Sequence, residues 1–445
     1  MNGKIGTQAF SVLLAVLLVS VGIVPAVSAQ DATGTPTAAG SGEPALVIGD
    51  SMDVLIAGAT SVSDMRASGI TAPEELNIPK GIARYDLVTF DHAALNKQVR
   101  GVLPLQIHGK DYQAELHRMD FEQIDDGIDS YEGTIAGVDG SDVLLTTGEN
   151  VLVGSVTLGN ETFWIRPIEP RARVEQPETS LHIIYSSEDI LYPQEPAQVD
   201  QGPVTPPEGY PTWQMVGEPE IGVMLTAEQY ATINLLVVTD NQFYTNERDW
   251  KASAQEIVAE ANRQYDRDDI RVALCVMAYD DSRRNQLSNN AYVLTDPLHA
   301  FWQVYPDSDL DLWSSDLGLY LGGYDKTTAY DQGAAYGFTN RGRHAWAQMV
   351  PDDLFYQGTD HGRKYVAIHE IGHNIDANHE GTNSSIYNQA YDWWDLGLYH
   401  RTVMWSGYLE QFTLLEFSSD DYHGDATHDN ARSIREAKWQ VAGYV

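Results

Sequence analysis

"YVAIHEIGHNIDANHEGTN", residues 365–383, holds three histidines, two glutamates and one aspartate in nineteen positions. His369 and His373 are four apart with Glu370 between them, and His379 follows six residues later. In a helix, residues four apart lie about 40° apart around the axis and one turn along it. Two imidazoles so placed can hold one ion, each at about 2.0 Å. Glu370 projects to the side, within reach of a water on that ion. HExxH alone is only moderately specific, and a histidine-rich polar helix face is its other reading. His379 adds a constraint. In a continuous helix it would stand about 15 Å beyond His369 and roughly 80° off its face. To share the ion, the helix must stop just after His373 and the chain must turn back. Asp376, Ala377 and Asn378 occupy that turn, and Asp and Asn are the non-glycine residues most tolerant of positive φ.

Upstream of this stretch the pattern is α/β. "INLLVVTD" from Ile233 and "IRVALCVMAY" from Ile270 read as buried strands. "DWKASAQEIVAEANRQY" between them has helical spacing, with Asp249 available as its cap. Strand, helix and strand in that order predict a crossover unit with parallel strands. "DLGLYLGGY" and "RHAWAQMV" add strand-like runs, and the latter is expected to be the edge that pairs with an extended peptide. Residues 44–191 differ. "SYEGTIAGV", "SDVLLTTG", "VLVGSVTLG" and "ETFWIRPI" are short alternating or β-branched runs broken by turn residues, so this half reads as mainly β. Residues 192–225 are rich in Pro and lack a periodic apolar pattern, as a linker does.

The beginning of the chain reads as an export signal over residues 1–29. A short basic start precedes the apolar "FSVLLAVLLVSVGIV", and Val27 and Ala29 occupy small-residue cleavage positions. An uncleaved anchor helix is the other reading of that run. A small-residue tether, residues 30–43, follows. A secreted or cell-surface location is therefore expected. The formal charge of −37 argues against nucleic acid or an anionic membrane as partner. Cys275 is the single cysteine, so no disulfide forms within one chain. It reads as a small core residue of a buried strand.

The order HExxHxxxxxH with a turn before the last histidine resembles the metzincin metalloproteases, and "TVMWSGY" downstream offers Met404 at the place of that family's methionine turn. Within the metzincins the chain is similar to the adamalysin (reprolysin, ADAM-type) catalytic domain. That resemblance rests on the strand–helix–strand opening, "GGYDKTTAYDQGAAYGF", "HEIGHN" and the closing "HDNARSIREAKWQVAGYV". The β-rich first half is similar to the same family's propeptide. The resemblance implies an α/β metzincin catalytic domain over residues 226–445, a mixed twisted sheet with helices, preceded by a mainly β propeptide domain over 44–191. It implies a zinc endopeptidase acting on protein or peptide substrates, with His369, His373 and His379 as ligands and Glu370 as general base. The family's turn glycine is replaced by Asp376. Its disulfides and any propeptide cysteine are absent, and no further module is expected after Val445. We expect a monomer.

Other assignments stay open at this level. Glu410 or Glu416 could be the third ligand in a thermolysin-like plan, and a relict zinc site on a non-enzymatic binding protein is a further alternative. His344, His361, His400, His423 and His428 read as surface or satisfied core residues. "YDWWDLGLY" could line a cleft or pack inside. "DDYHGDATHDN" has carboxylates enough for calcium or for a solvated acidic loop.

Overall fold

The computed structural model describes residues 46–48, 79, 81–168, 181–190, 197–198, 202–210, 229–247, 249–287, 296–323, 332–349, 359–381, 386–395, 398–408 and 413–445. All belong to one compact unit, Glu43–Val445. The expected signal and tether lie outside the described residues.

The alternating runs of the first half build a nine-stranded sheet: β1 Leu46–Ile48, β2 Asp86–Val88, β3 Val102–Ile107, β4 Lys110–Arg118, β5 Asp129–Ile135, β6 Asp142–Thr147, β7 Leu152–Leu158, β8 Glu161–Pro167 and β9 His182–Ser186. From β3 to β9 the strands follow chain order as an antiparallel meander; β1 joins β3 in parallel and β2 closes the other edge against β9. His108 and Gly109, with φ of 50° and 72°, form the two-residue turn between β3 and β4. Two positive φ values are what a hairpin needs to match strand twist. A short helix, α1 (His92–Gln98), packs on this sheet, its Asp91 cap accepting from the Ala94 amide at 3.0 Å.

The second half holds β11 (Ala231–Thr239), β12 (Val272–Asp280), β13 (Leu317–Gly322), β14 (Gly333–Ala335) and β15 (His344–Gln348) in the order β12-β11-β13-β15-β14. Two-residue β10 (Ala197–Gln198) pairs outside this sheet. All neighbours in the five-stranded sheet are parallel except β14 with β15. The run "RHAWAQMV" is a strand, β15, yet it lies inside the sheet between β13 and β14. This corrects the expectation that it is the edge. The edge is β14, whose three small residues, Gly-Ala-Ala, carry no strand pattern of their own. Helices α2 (Asn241–Asn246), α3 (Trp250–Arg267), α4 (Asp296–Val304) and α5 (Asp307–Leu312) precede the histidine helix, α6 (Asp360–Asn374). Asp249 holds the N-cap position of α3 without a side-chain cap hydrogen bond. A hairpin of β16 (Asp392–Asp395) and β17 (Leu398–Arg401), the short β18 (Gly407–Tyr408) and α7 (Asn430–Val441) complete the chain. Among the described residues no helix is long and apolar enough to cross a membrane.

The two halves meet through backbone, apolar and ionic contacts. Residues 121–123 extend the five-stranded sheet beyond β12: the Val276 amide donates to Phe121 O at 2.8 Å and the Gln123 amide to Val276 O at 3.0 Å. Leu144 of β6 joins the core of Ile257, Tyr265 and Ile368, whereas its neighbours Val143 and Leu145 face the core of their own sheet. At the start of α6, Arg166 of β8 lies 3.4 Å from Glu247 and 3.7 Å from Asp360. Arg363 bonds Glu247 at 2.6 Å, and the Tyr185 hydroxyl donates to Asp360 at 3.0 Å. Arg166, Glu247, Asp360 and Arg363 are all buried. Charges withdrawn from water require this kind of mutual pairing.

Candidate metal centre

Helix α6 begins where Thr359 Oγ1 accepts the Gly362 amide at 3.1 Å. Its side chains are buried almost throughout, because β14 and β15 cover one flank and α3 another. The helix ends at Asn374. Asp376 then takes φ 71° and the Ala377 amide returns to Gly372 O at 2.9 Å, which reverses the chain. The left-handed residue is the aspartate expected from the sequence. Its conformation is held from outside the turn. Asn388 Nδ2 donates to Asp376 O at 2.9 Å, and Ser433 Oγ of α7 bonds both that carbonyl, at 3.0 Å, and the Asp376 carboxylate. Asn430 grips the next residues, accepting from the Asn378 amide at 2.9 Å and donating to Asn378 O at 3.0 Å.

The reversal brings three imidazoles together. Nε2 of His379 is 2.9 Å from Nε2 of His369 and 3.2 Å from Nε2 of His373. Among the described residues, these three are the only group of three or more His, Cys, Asp or Glu side chains close enough to share a metal ion. His369 Nδ1 lies 2.7 Å from Val403 O, and His373 Nδ1 lies 2.9 Å from Ala377 O. A carbonyl only accepts, so both Nδ1 atoms carry the proton and both Nε2 atoms present lone pairs inward. Lone pairs facing each other at this range repel, and a cation between them turns repulsion into coordination.

Glu370 is fully buried beside the triad. Its carboxylate lies over Gly333 of β14, so close that a Cβ there would overlap it. Glycine at this edge position is what leaves room for the glutamate. Met404 is fully buried as well, and a Cβ on Gly372 would stand 2.6 Å from its Sδ. The helix thus rests on the methionine at Gly372, the residue before His373. Val403, one residue before, supplies the carbonyl that orients His369.

The remaining candidates lie elsewhere. Glu416 pairs with His423 rather than with the triad, and Glu410 lies outside the described residues. His344 is buried between Tyr210 and Tyr305 O, and burial pushes its pKa down to about 3. Burial likewise lowers His361 to about 4. His400 stacks on Trp393 and His428 pairs with Asp425 at 2.8 Å. The aromatic run forms the β16–β17 hairpin, with Trp393 stacked on His423 and Trp394 exposed. Calcium finds no support in the acidic segment. Asp425 accepts from Thr427 and His428 in a local turn, and these carboxylates do not converge. Sequence reasoning missed Gly333, Asn430 and Ser433. The small-residue run around Gly333 has no alternation that would mark it as a strand.

Residues 229–392 match the family model Reprolysin_5, metallo-peptidase family M12. This segment is that of a metallopeptidase. It contains all three converging histidines and Glu370. Among solved structures it is similar to metalloproteinase-II from Bacteroides fragilis, at 14% identity and a TM-score of 0.44, covering 74% of this chain and 92% of that one. Another similar structure is titled "Structure of a chaperone-substrate complex", at 15% identity and a TM-score of 0.37. That match covers 48% of this chain, which spans only 35% of the other. No curated protein matches the chain.

Proposed function

We propose that this metallopeptidase is an exported zinc endopeptidase of the metzincin type, made as a precursor whose residues 44–191 act as a propeptide. The observation that carries the reading is the convergence of three Nε2 atoms beside a buried glutamate. Tetrahedral zinc with nitrogens at about 2.0–2.1 Å needs them roughly 3.3 Å apart, and the separations of His379 Nε2 from the other two, 2.9 and 3.2 Å, approach that figure. His369, His373 and His379 would hold the ion, and two of them are already locked in the required tautomer by backbone carbonyls. Zinc bound there supplies Lewis acidity toward a peptide carbonyl and toward water. Glu370 takes the proton from the attacking water and returns it to the leaving amine. Its burial between α6 and β14 keeps bulk water from competing for that proton. Met404 and the carbonyl of Val403 fix the height and rotation of the histidine helix. Edge strand β14 offers its backbone to an extended substrate. Export rests on the signal-like residues 1–29, and the protein acts as a monomer.

The test compares wild type with Glu370→Gln on a peptide library. Wild type should cleave, a chelator should stop it, and Glu370→Gln should lose roughly 10²–10⁴-fold in turnover while keeping its zinc. Equal turnover by the two proteins would remove Glu370 from the mechanism.

A further inference from the structure

The Pro-rich stretch before the catalytic half is not a free tether where the structure describes it. The Val204 amide donates to Ala335 O at 2.8 Å, and the Gly337 amide donates to Val204 O at 3.3 Å. Val204 therefore adds to the outer side of β14, parallel to it at Tyr336. A few residues earlier in the chain, β10 pairs antiparallel with β18, Ala197 opposite Tyr408 and Gln198 opposite Gly407. Gly202 lies against the third histidine: a Cβ there would be 3.7 Å from His379 Nδ1. Pro203 packs on Gly337, where a Cβ would come within 2.8 Å of the proline ring. At the far end, Tyr210 is buried. Its hydroxyl accepts the Arg343 amide at 3.0 Å and bonds His344 Nδ1 at 3.1 Å, and its ring packs edge-on to Tyr336.

We propose that residues 202–210 are an internal strap occupying the peptide groove of the metal centre, and that the β-rich half keeps the strap there after the chain is cut C-terminal to it. This rests on the reading of the centre as a peptidase site. Ala335 O and Gly337 N are edge groups that an extended substrate would need, and the strap already uses both. A substrate must therefore displace it. The strap is continuous with the β-rich half on its N-terminal side, and that half has its own fastenings: residues 121–123 on β12 and the buried charge cluster of Arg166, Glu247, Asp360 and Arg363. None of these depends on the peptide bonds between 211 and 228. A cut in that interval leaves the groove filled, held at the high effective concentration that a docked partner confers. Release then needs a second event, either separation of the halves or digestion of the strap.

The experiment places a site for a sequence-specific protease within residues 211–228 of the full, zinc-loaded chain. Hydrogen exchange at the Val204 and Gly337 amides and size exclusion are followed before and after cutting, with turnover of a short fluorogenic peptide alongside. We expect the two pieces to co-elute, both amides to stay protected and turnover to rise less than twofold. Val204→Pro removes the amide that bonds Ala335 O and should raise turnover of the uncut chain at least tenfold. Tyr210→Ala, which frees the other end, should do the same. Loss of amide protection on cutting, or full turnover by a co-eluting nicked protein, would overturn the proposal, as would Val204→Pro and Tyr210→Ala chains with unchanged turnover. Exchange does not depend on catalysis. Absence of turnover in every form would thus count against the peptidase reading, while the exchange data decide the strap.

Discussion

The two sheets bury their side chains differently. In β6 of the nine-stranded sheet, Val143 and Leu145 enter one core and Leu144 enters another, so each face of the strand has its own partner. In β13 of the five-stranded sheet, all six residues from Leu317 to Gly322 are buried. An antiparallel meander can present one face to a neighbour, whereas a parallel sheet is covered on both faces by its crossovers. The first sheet therefore works as a docking surface. The second has only its edges and loops left for chemistry, and there the structure gathers the histidine helix, the Asp376 turn, Met404 and β14. One edge, β12, is covered by residues 121–123, and the other, β14, by Val204.

The largest effect on this division should come from Arg166, the cation the first half sends into the second. Arg166→Ala leaves Glu247 and Asp360 short of a partner in a buried setting. Removing one member of such a group costs about 3–5 kcal/mol, measurable by denaturant unfolding. If Arg166→Ala unfolds like wild type, the charge cluster does not hold the halves together.

A somewhat smaller effect separates the halves by pH. His92 is buried in the first half with its ring 5.3 Å from that of His182, and burial lowers its pKa from 6.5 to about 4, Asp91 opposing. The unfolded chain takes up this proton more readily. The contribution of His92 is fully present above about pH 6.5 and is lost as pH falls through about 4, a difference of roughly 3 kcal/mol. Glu122, at the contact with β12, runs the opposite way. Burial, with Asp126 adding to it, raises its pKa to about 8. Its contribution is present below about pH 4.5 and is lost as pH rises through about 8. Acid should thus weaken the core of the first half, and alkali its contact with the second. His92→Phe should flatten the acid limb of a pH–stability curve and Glu122→Gln the alkaline limb; unaltered limbs would show that other groups carry the pH dependence.

The smallest predicted effect concerns the turn. Asp376→Gly relieves an unfavourable φ worth about 1 kcal/mol but loses the carboxylate bonds to Ser433 and Asn388, while those to the main-chain carbonyl stay, so overall stability should change by less than about 1 kcal/mol. Asp376→Ala keeps the strain and loses the bonds, and zinc affinity should fall roughly tenfold, as for other residues that orient ligands. Equal affinities for the Ala and Gly proteins would show that backbone strain at 376 does not reach His379.

Much of this was legible in the residues, for physical reasons that also mark where legibility stops. The spacing of His369 and His373 places both on one helix face whatever surrounds them. Asp376 could be read as a left-handed residue because few other side chains accept that conformation. Ser433 and Asn430, which hold the turn, lie more than fifty residues away, and no local pattern announces them. β15 was legible as a strand, but its place in the sheet depends on β14, whose Gly-Ala-Ala has no alternation to read. The strap was hidden for a similar reason. It binds through backbone amides and a single buried tyrosine, so its sequence keeps the composition of a linker.

Zinc-edge X-ray absorption on the zinc-loaded protein and on His379→Ala tests the shared centre most directly. Three nitrogen ligands at about 2.0 Å are expected for wild type, falling to two in His379→Ala with a marked loss of zinc affinity. An unchanged spectrum and unchanged affinity in His379→Ala would contradict the three-histidine centre.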